Sequence, residues 1–378
     1  MTPQFSSRSH IAGAVFRFLK KDMVLTASMG LAAFSCFLNP PGKEYASYID
    51  FHTLILLFCL MLIIEGLRSR QVFHYIGNLL LSRVSSRRGL TLALVFLCFF
   101  GSMLITNDVA LITFVPFGIM LLELCRMTDR LCQTITLMTI AANLGSMFTP
   151  IGNPQNLYLY SLSGMSLKSF FLLTFPCTAA AGVLLILFLL PGNSKETISI
   201  RMEDASISDP RRTLIFLSLF LLCLLTVAGI LPHKALLAVV SLVILVSDRK
   251  LFTRVDYSLL ITFTFFFIFV GNIRRMDSLY RLLTQALHGH EILVSIAASQ
   301  VISNVPAAML LSGCTENIRG LIIGTNIGGL GTLIASMASL ISYRQLAGKY
   351  PQLKGRYLRI FTCYNLIFLA ALILLALA

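Results

Sequence analysis

The chain has no tryptophan, and charged residues make up only 12% of its 378 positions. A soluble domain carries roughly 25%, so an ordinary water-facing surface is excluded. Without indole rings, Tyr and Phe must supply any aromatic belt at a membrane interface. The nine cysteines form no CxxC and no Cys/His cluster. Cys36, Cys59, Cys98, Cys177, Cys223 and Cys363 lie inside apolar blocks and read as small apolar fillers, not ligands or disulfide partners. GxxxxGK[ST] is missing, so any ATP drive needs a separate subunit. HExxH, GxSxG with a histidine and two close aspartates on helices are missing as well, which argues against an intramembrane enzyme. Net charge is +14, yet there is no nucleic-acid-binding module and no basic patch with interleaved aromatics, so no nucleic-acid partner is expected. The N-terminus has no small-residue cleavage site after a short apolar stretch and reads as retained.

What is present is apolar. Hydrophobic residues make up 57% of the chain and mean hydropathy is +0.84, gathered in long blocks separated by short basic segments. A helix needs about 20 apolar residues to cross the hydrocarbon. That length predicts crossings near 22–38, 51–66, 131–160 (interrupted), 170–190, 213–231, 235–247, 257–272, 318–342 (interrupted) and 356–377. Two more apolar stretches, 89–126 and 291–312, carry a polar interruption at their centre. The fold class is therefore an all-α polytopic membrane protein.

Basic residues set the orientation. Arg8, Arg17, Lys20 and Lys21 precede the first crossing, and Arg68, Arg70, Arg83, Arg87 and Arg88 follow the second with no acid among them. The N-terminus then lies in the cytoplasm and the loop holding Lys43, Glu44 and Asp50 lies outside. Segment 89–126 has arginines at both ends, which a re-entrant hairpin with its tip at Thr106-Asn107-Asp108 satisfies; two short crossings satisfy it too. The polar stretch 191–212 reads as a cytoplasmic linker between halves, and the C-terminus ends outside. Arg274, Arg275 and Arg281 fit this scheme poorly, because they fall in a segment it places outside.

The sequence repeats itself. NLGSMFTPIGNPQNLYLY (143–160) aligns without gaps to NIGGLGTLIASMASLISY (326–343), with Asn143/Asn326, Gly145/Gly328, Thr149/Thr332, Ile151/Ile334, Leu157/Leu340 and Tyr160/Tyr343 identical. Upstream of each lies a related polar triplet, in ITND (105–108) and ISNV (302–305). With 213–231 as one extra crossing, the second half begins on the opposite side, which makes the repeats inverted. The organisation is a cytoplasmic N-terminal segment (1–21), a first inverted repeat (22–190), a linker and connecting helix (191–234) and a second inverted repeat (235–378). Inverted repeats with interrupted helices at matching places point to a secondary transporter and to its site.

An ionised Asp at the bilayer centre costs about 2.5–3.5 kcal/mol on insertion scales, and unwound backbone is tolerated at that depth only where protein or water satisfies it. The prolines of Thr149-Pro150-Ile151-Gly152-Asn153-Pro154-Gln155-Asn156 break one helix, Gly324, Gly328, Gly329 and Gly331 loosen its counterpart, and the hairpin tips with the breaks Thr149–Asn156 and Asn326–Thr332 are expected to enclose the site. Exposed N–H groups at a half-helix start suit an anion; carbonyls with Asn and Thr oxygens suit Na⁺. The candidate solute contacts are Thr106, Asn107, Asp108, Pro150, Gly152, Asn153, Ser303, Asn304, Gly331 and Thr332. The candidate cation contacts are Asn107, Asp108, Asn143, Gly145, Thr149, Asn304, Asn326, Gly328 and Thr332. Other roles stay open: Asn143 and Asn326 as helix glue, the glycines at 328, 329 and 331 as packing contacts, Asp108 as a cap. Glu65/Arg68 and Glu123/Arg126, at i,i+3, read as boundary ion pairs.

SMLITNDVALITFVPF, TPIGNPQNLYLY, SNVPAAMLL and NIGGLGTLIASMASLI resemble the ion transporter superfamily: arsenical pump membrane proteins, citrate and dicarboxylate permeases, divalent anion:sodium symporters and Na⁺/H⁺ antiporters. The resemblance covers nearly the whole chain. It implies two inverted repeats with re-entrant hairpins, a scaffold and a mobile transport domain, and a homodimer. Dicarboxylate members carry Ser-Asn-Thr at each tip; here the tips are Thr106-Asn107-Asp108 and Ser303-Asn304-Val305, and the third hydroxyl is missing from both. The Asn-Asp pair looks more like the arsenical-pump branch. The expectation is an inner-membrane permease, bedded in lipid, moving a small inorganic or organic anion with Na⁺ or H⁺ and no other cofactor. An arsenite efflux permease, a Na⁺/H⁺ antiporter and, in a different class, an ion channel remain alternatives.

Overall fold

The computed structural model describes residues 23–81, 84–190 and 207–378, and every regular element in them is helical. The N-terminal segment 1–21 and linker residues 191–206 lie outside the described residues. The helices are α1 (Met23–Leu38), α2 (Phe51–Ser69), α3 (Val72–Leu81), α4 (Arg87–Leu104), α5 (Asn107–Leu124), α6 (Leu131–Ser146), α7 (Pro154–Ser163), α8 (Leu167–Leu189) and α9 (Pro210–Val227). There follow α10 (His233–Asp248), α11 (Tyr257–Ile273), α12 (Asp277–Leu287), α13 (Glu291–Ile302), α14 (Asn304–Ser312), α15 (Ile318–Ile327), α16 (Met337–Lys349) and α17 (Lys354–Leu377). Six segments are long and apolar enough to cross a membrane: α2, α4, α5, α8, α9 and the stretch Pro351–Leu377. Large apolar side chains such as Phe37 (86% exposed), Val246 (82%) and Leu374 (73%) point away from the protein, as a lipid-facing surface requires. The protein is an integral membrane protein.

Local chemistry sets the ends of these helices. Asp50, Ser86, Asp209 and Asp256 each accept a hydrogen bond from a backbone N–H in the first turn of α2, α4, α9 and α11. Pro210 and Pro154 occupy first helical positions, where a missing N–H costs nothing. Helix α7 stops at Gly164, whose φ of +60° suits a residue without Cβ.

Both polar interruptions are real breaks. The chain leaves the helix between α6 and α7 over 147–153 and between α15 and α16 over 328–336. The hairpins are α4–α5, turning at Ile105 and Thr106, and α13–α14, turning at Ser303 alone. With 12 and 9 residues, the second hairpin's arms are about 18 and 14 Å long, too short to cross some 30 Å of hydrocarbon. Asn107 at the first tip shares a cavity with Ser303 at the second, so the two tips meet, although the first hairpin's arms have 18 residues each.

Each hairpin packs on the broken helix that follows it: α4 and α5 on α6, α13 and α14 on α15. The halves also interlock, α5 with α16 and α14 with α7. A second group of helices, α1 against α11 and α2 against α9 and α10, meets the first mainly through α2–α7 and α11–α14. Tyr158 on α7 lies between these groups. Its ring faces Phe263 and Phe267 of α11, and its hydroxyl lies 2.8 Å from Ser312 Oγ.

Two charge readings resolve differently. Arg275 binds Glu44 at 2.5 Å, and Asn39 Nδ2 donates to the Asn272 carbonyl. The arginines that fitted poorly therefore lie on the same side as the first loop, whose acid one of them meets. Glu65 does pair with Arg68, at 3.4 Å. Glu123 does not pair with Arg126. It binds Lys349 at 2.7 Å and the Tyr350 hydroxyl, because α16 packs along α5 and Arg126 leaves the helix with φ of +54°.

Candidate functional site

The alignment reappears as contacts made twice. Asn107 N donates to the Gly152 carbonyl at 3.0 Å, and Asn304 N donates to the Ala335 carbonyl at 3.0 Å. Thr149 Oγ1 donates to the Met103 carbonyl (2.6 Å), Thr332 Oγ1 to the Gln300 carbonyl (3.3 Å). A Cβ on Gly145 would lie 2.7 Å from Ser102 Oγ, and one on Gly328 would lie 2.7 Å from Ser299 Oγ. In each half, then, the same Thr ties the break to the hairpin and the same Gly lets the hairpin arm approach. The glycines at 145 and 328 are packing contacts in this arrangement.

The two halves also bind each other reciprocally. Asn153, which caps α7, donates to Asn326 Oδ1 at 3.0 Å; Ser336, at the start of α16, donates to Asn143 Oδ1 at 3.0 Å. Asn143 Oδ1 also accepts from Asn107 Nδ2 at 3.1 Å, which fills both its lone pairs. Asn326 Nδ2 donates to Asn156 Oδ1 and to the Ile322 carbonyl. The helix-glue role of Asn143 and Asn326 is what the structure places on them.

Asp108 is not a cap. The N–H of Asp108 is taken by Asn107 Oδ1 at 3.0 Å, and Val305 N is taken by Asn304 Oδ1 in the same way. The asparagines therefore close the half-helix starts, and Asp108 Oδ1 is buried with no hydrogen-bond partner.

One cavity lies where these parts meet, and it holds about 30 Å³, room for roughly two waters. Asn107, Asp108, Ser303 and Asn304 line it. The other candidates stand behind it. Thr106 starts α5 and Pro150 is buried in the first break; Gly152, Asn153, Thr149 and Thr332 make the bonds given above. Gly331 has φ of +103° and lies against the Gln300 side chain.

Four half-helices, α5, α7, α14 and α16, present their N-terminal residues to this cavity: Asn107 and Asp108, Pro154 and Gln155, Asn304 and Val305, Ser336 and Met337. Their partial positive ends converge. The Gln155 side chain is 1% exposed and its Nε2 has no partner. Asp256, from the start of α11, supplies a second carboxylate, and among the described residues the lining contains no Lys, Arg or His.

Sequence reasoning covered Gln155 only as part of the Thr149–Asn156 break and missed Asp256 and Gln300. An Asp ahead of an apolar run reads as a cap, which Asp256 also is. Gln300 could have been found. It is an amide inside an apolar hairpin arm, the same anomaly that marks Asp108.

A family model described as CitMHS, citrate transporter, matches residues 14–320. The chain belongs to this family of the ion transporter superfamily. It is 33% identical over 295 residues to an uncharacterized transporter of Methanocaldococcus jannaschii, covering 78% of this chain and 80% of the relative. It is 31% identical over 317 residues to the inner membrane protein YbiR of Escherichia coli, covering 82% and 83%. A shorter match, 35% over 147 residues, covers 39% of this chain and 30% of the silicon efflux transporter LSI3 of Oryza sativa. The chain is a membrane transporter, not an enzyme.

Proposed function

We propose that the protein is a secondary transporter that holds a small anionic solute between its two hairpin tips and couples its passage to H⁺ or Na⁺ by alternating access. The observation that carries this reading is the convergence of four half-helix N-termini on one cavity. Each supplies the partial positive end of a helix dipole, and the unpartnered Gln155 Nε2 and the Asn304 amide supply donors. Asp108 and Asp256 face the same space and are the groups to take up a proton or cation with the solute. The cavity holds roughly two waters, so a solute enters only when the tips part. In this reading the halves are inverted across an inner membrane, with the N-terminus in the cytoplasm, the C-terminus outside, and a homodimer as the working unit.

A second reading has a specific observation behind it. A lining with two carboxylates and no basic side chain among the described residues also suits a neutral oxyacid that donates hydrogen bonds, and one relative is named a silicon efflux transporter. Flux in proteoliposomes distinguishes the two. Sulfate, succinate, citrate, arsenite and silicate are offered under imposed H⁺ or Na⁺ gradients. Saturable, gradient-driven movement of a charged member, with counterflow, is the expected result. Movement of only arsenite or silicate as neutral acids selects the second reading, and unsaturable conductance without counterflow means a channel. Asp108→Asn should lower gradient-driven accumulation at least tenfold while leaving counterflow; unchanged pH and Na⁺ dependence removes Asp108 from coupling.

A further inference from the structure

Away from the transport cavity, three segments read in the sequence as cytoplasmic come together: the end of α2, the start of α9 and the end of α10. They enclose an open pocket of about 770 Å³. Its lining includes Arg70, Arg212, Arg249, Lys250 and Arg254. Against these stand Asp209 and Asp248, so among the described residues the lining carries five positive and two negative groups, a surplus of three.

The basic residues differ in their freedom. Arg70 is the anchored one. It is 5% exposed and its guanidinium lies 4.4 Å from the centre of the Phe216 ring. Its Nη1 donates to the Gly66 carbonyl (2.9 Å) and Ser69 Oγ (3.0 Å), and its Nη2 approaches Asp248 at 3.4 Å. Its Nε is buried with no hydrogen-bond partner, and a buried donor of that kind calls for an acceptor. Arg212 reaches Asp209 at 3.4 Å and Arg254 reaches Glu65 at 3.5 Å, both half-exposed. Arg249 and Lys250 are exposed and have no ion-pair partner among the described residues.

The same pocket is apolar along one wall. Leu245 and Val246 line it and are 59% and 82% exposed. They stand on the last turn of α10, with Arg249 and Lys250 immediately following. Uncovered hydrocarbon beside unpaired cations is what a two-part ligand needs: a phosphate with acyl chains attached. A soluble anion uses only the charged wall and makes no use of Leu245 and Val246.

We propose that this pocket binds the headgroup of an anionic phospholipid, with the phosphate against Arg249, Lys250 and Arg212 and an acyl chain along Leu245 and Val246. Such a lipid would sit on α2, α9 and α10, the group apart from the hairpins, and would hold that group in its leaflet. Basic residues near a membrane surface add roughly 1 kcal/mol each to binding of anionic lipid.

The test uses the purified full chain in a neutral detergent. Thermal unfolding and native mass spectrometry are followed while phosphatidylglycerol, phosphatidylcholine or inorganic phosphate is added. Phosphatidylglycerol should stay bound and raise the melting temperature; the other two should do neither. Arg249→Ala with Lys250→Ala should weaken phosphatidylglycerol binding by roughly tenfold or more. Arg249→Lys should keep it. Arg344→Ala with Lys354→Ala, at a different basic segment, should also keep it. If the 249/250 double variant binds phosphatidylglycerol as the parent does, the pocket is not the site. If inorganic phosphate stabilises as well as the lipid, the ligand is a free anion and the proposal falls. The double variant changes exposed side chains, and its melting temperature without lipid checks that it folds.

Discussion

The two breaks face the same difficulty and meet it with different side chains. Each exposes backbone groups at a depth where water is scarce. In the first half the groups are served from the C-terminal side. Asn156 Nδ2 lies 3.3, 3.2 and 3.2 Å from the carbonyls of Ser146, Met147 and Thr149. In the second half they are served from the hairpin. Gln300 Nε2 donates to the Gly328 and Leu330 carbonyls at 2.9 Å each, and its Oε1 accepts from Thr332 N at 2.9 Å. The aligned partners, Ser339 for Asn156 and Met103 for Gln300, do neither job. What the halves share is the demand for a buried amide, and the position of that amide is free. The tips differ in a second way. Asn107 spends its amide on Asn143, whereas Asn304 Nδ2 has no acceptor among the described residues and lines the cavity.

The largest effect on transport should come from that difference. Asn304→Ala removes a donor facing the solute, so KM should rise tenfold or more with little change in unfolding temperature. Asn107→Ala removes the bond to Asn143 as well, and should lower both transport and stability, the latter by about 1–2 kcal/mol. Transport kinetics beside thermal unfolding separate the two. Equal stability losses would mean that the tips are equivalent after all.

For transport the clasps come next, and for stability they weigh most. Gln300→Leu strands two part-buried carbonyls, each worth about 1–3 kcal/mol when buried without a partner, and frees the exposed Thr332 N–H. Loss of about 2 kcal/mol or more is expected in denaturant unfolding. Met103→Leu, at the aligned position of the first half, should cost under about 1.5 kcal/mol. Similar losses for the pair would show that Gln300 acts by filling space alone.

Much of this was legible in the residues themselves. Pro150, Pro154 and the glycines at 328, 329 and 331 announce broken helices because their effects are local: a missing N–H, a missing Cβ. The polar tips at Asn107 and Asn304 stand out because their cost in lipid is high whatever surrounds them. The contacts between halves were not legible. That Asn153 would meet Asn326, or that Asp256 would join Asp108 at one cavity, depends on segments more than a hundred positions apart. The same holds for Glu123, whose nearest base in sequence is Arg126 and whose partner in space is Lys349. Local spacing favours a neighbour, and packing of α16 on α5 decides otherwise.

A smaller contrast lies in the glycines. A methyl on Gly145 would overlap the backbone carbonyl of Phe99 in α4, whereas one on Gly328 would come no closer than 2.7 Å to Ser299 Oγ and 2.8 Å to the Gly324 carbonyl. The overlap in the first half is the deeper, and it falls on backbone of the packed hairpin arm. Gly145→Ala should therefore destabilise more than Gly328→Ala in thermal unfolding. The reverse order would mean that the second break is the tighter of the two.

The smallest effect concerns how the tips turn. The first uses two extended residues, Ile105 (φ −121°) and Thr106 (φ −46°); the second uses Ser303 alone, at φ +73°. Positive φ costs a side-chain-bearing residue about 1–3 kcal/mol, and the Ser303 hydroxyl recovers little, since its two bonds are both 3.4 Å long. Glycine accepts that conformation freely but loses more entropy on folding, by about 0.5–1 kcal/mol. The net change for Ser303→Gly should be a small stabilisation, seen as a slightly higher melting temperature. Thr106→Gly has no strain to relieve and should lower it. If Ser303→Gly melts below the parent, the one-residue turn is held by its hydroxyl after all, and the second tip is sustained by its side chain as the first is by its backbone.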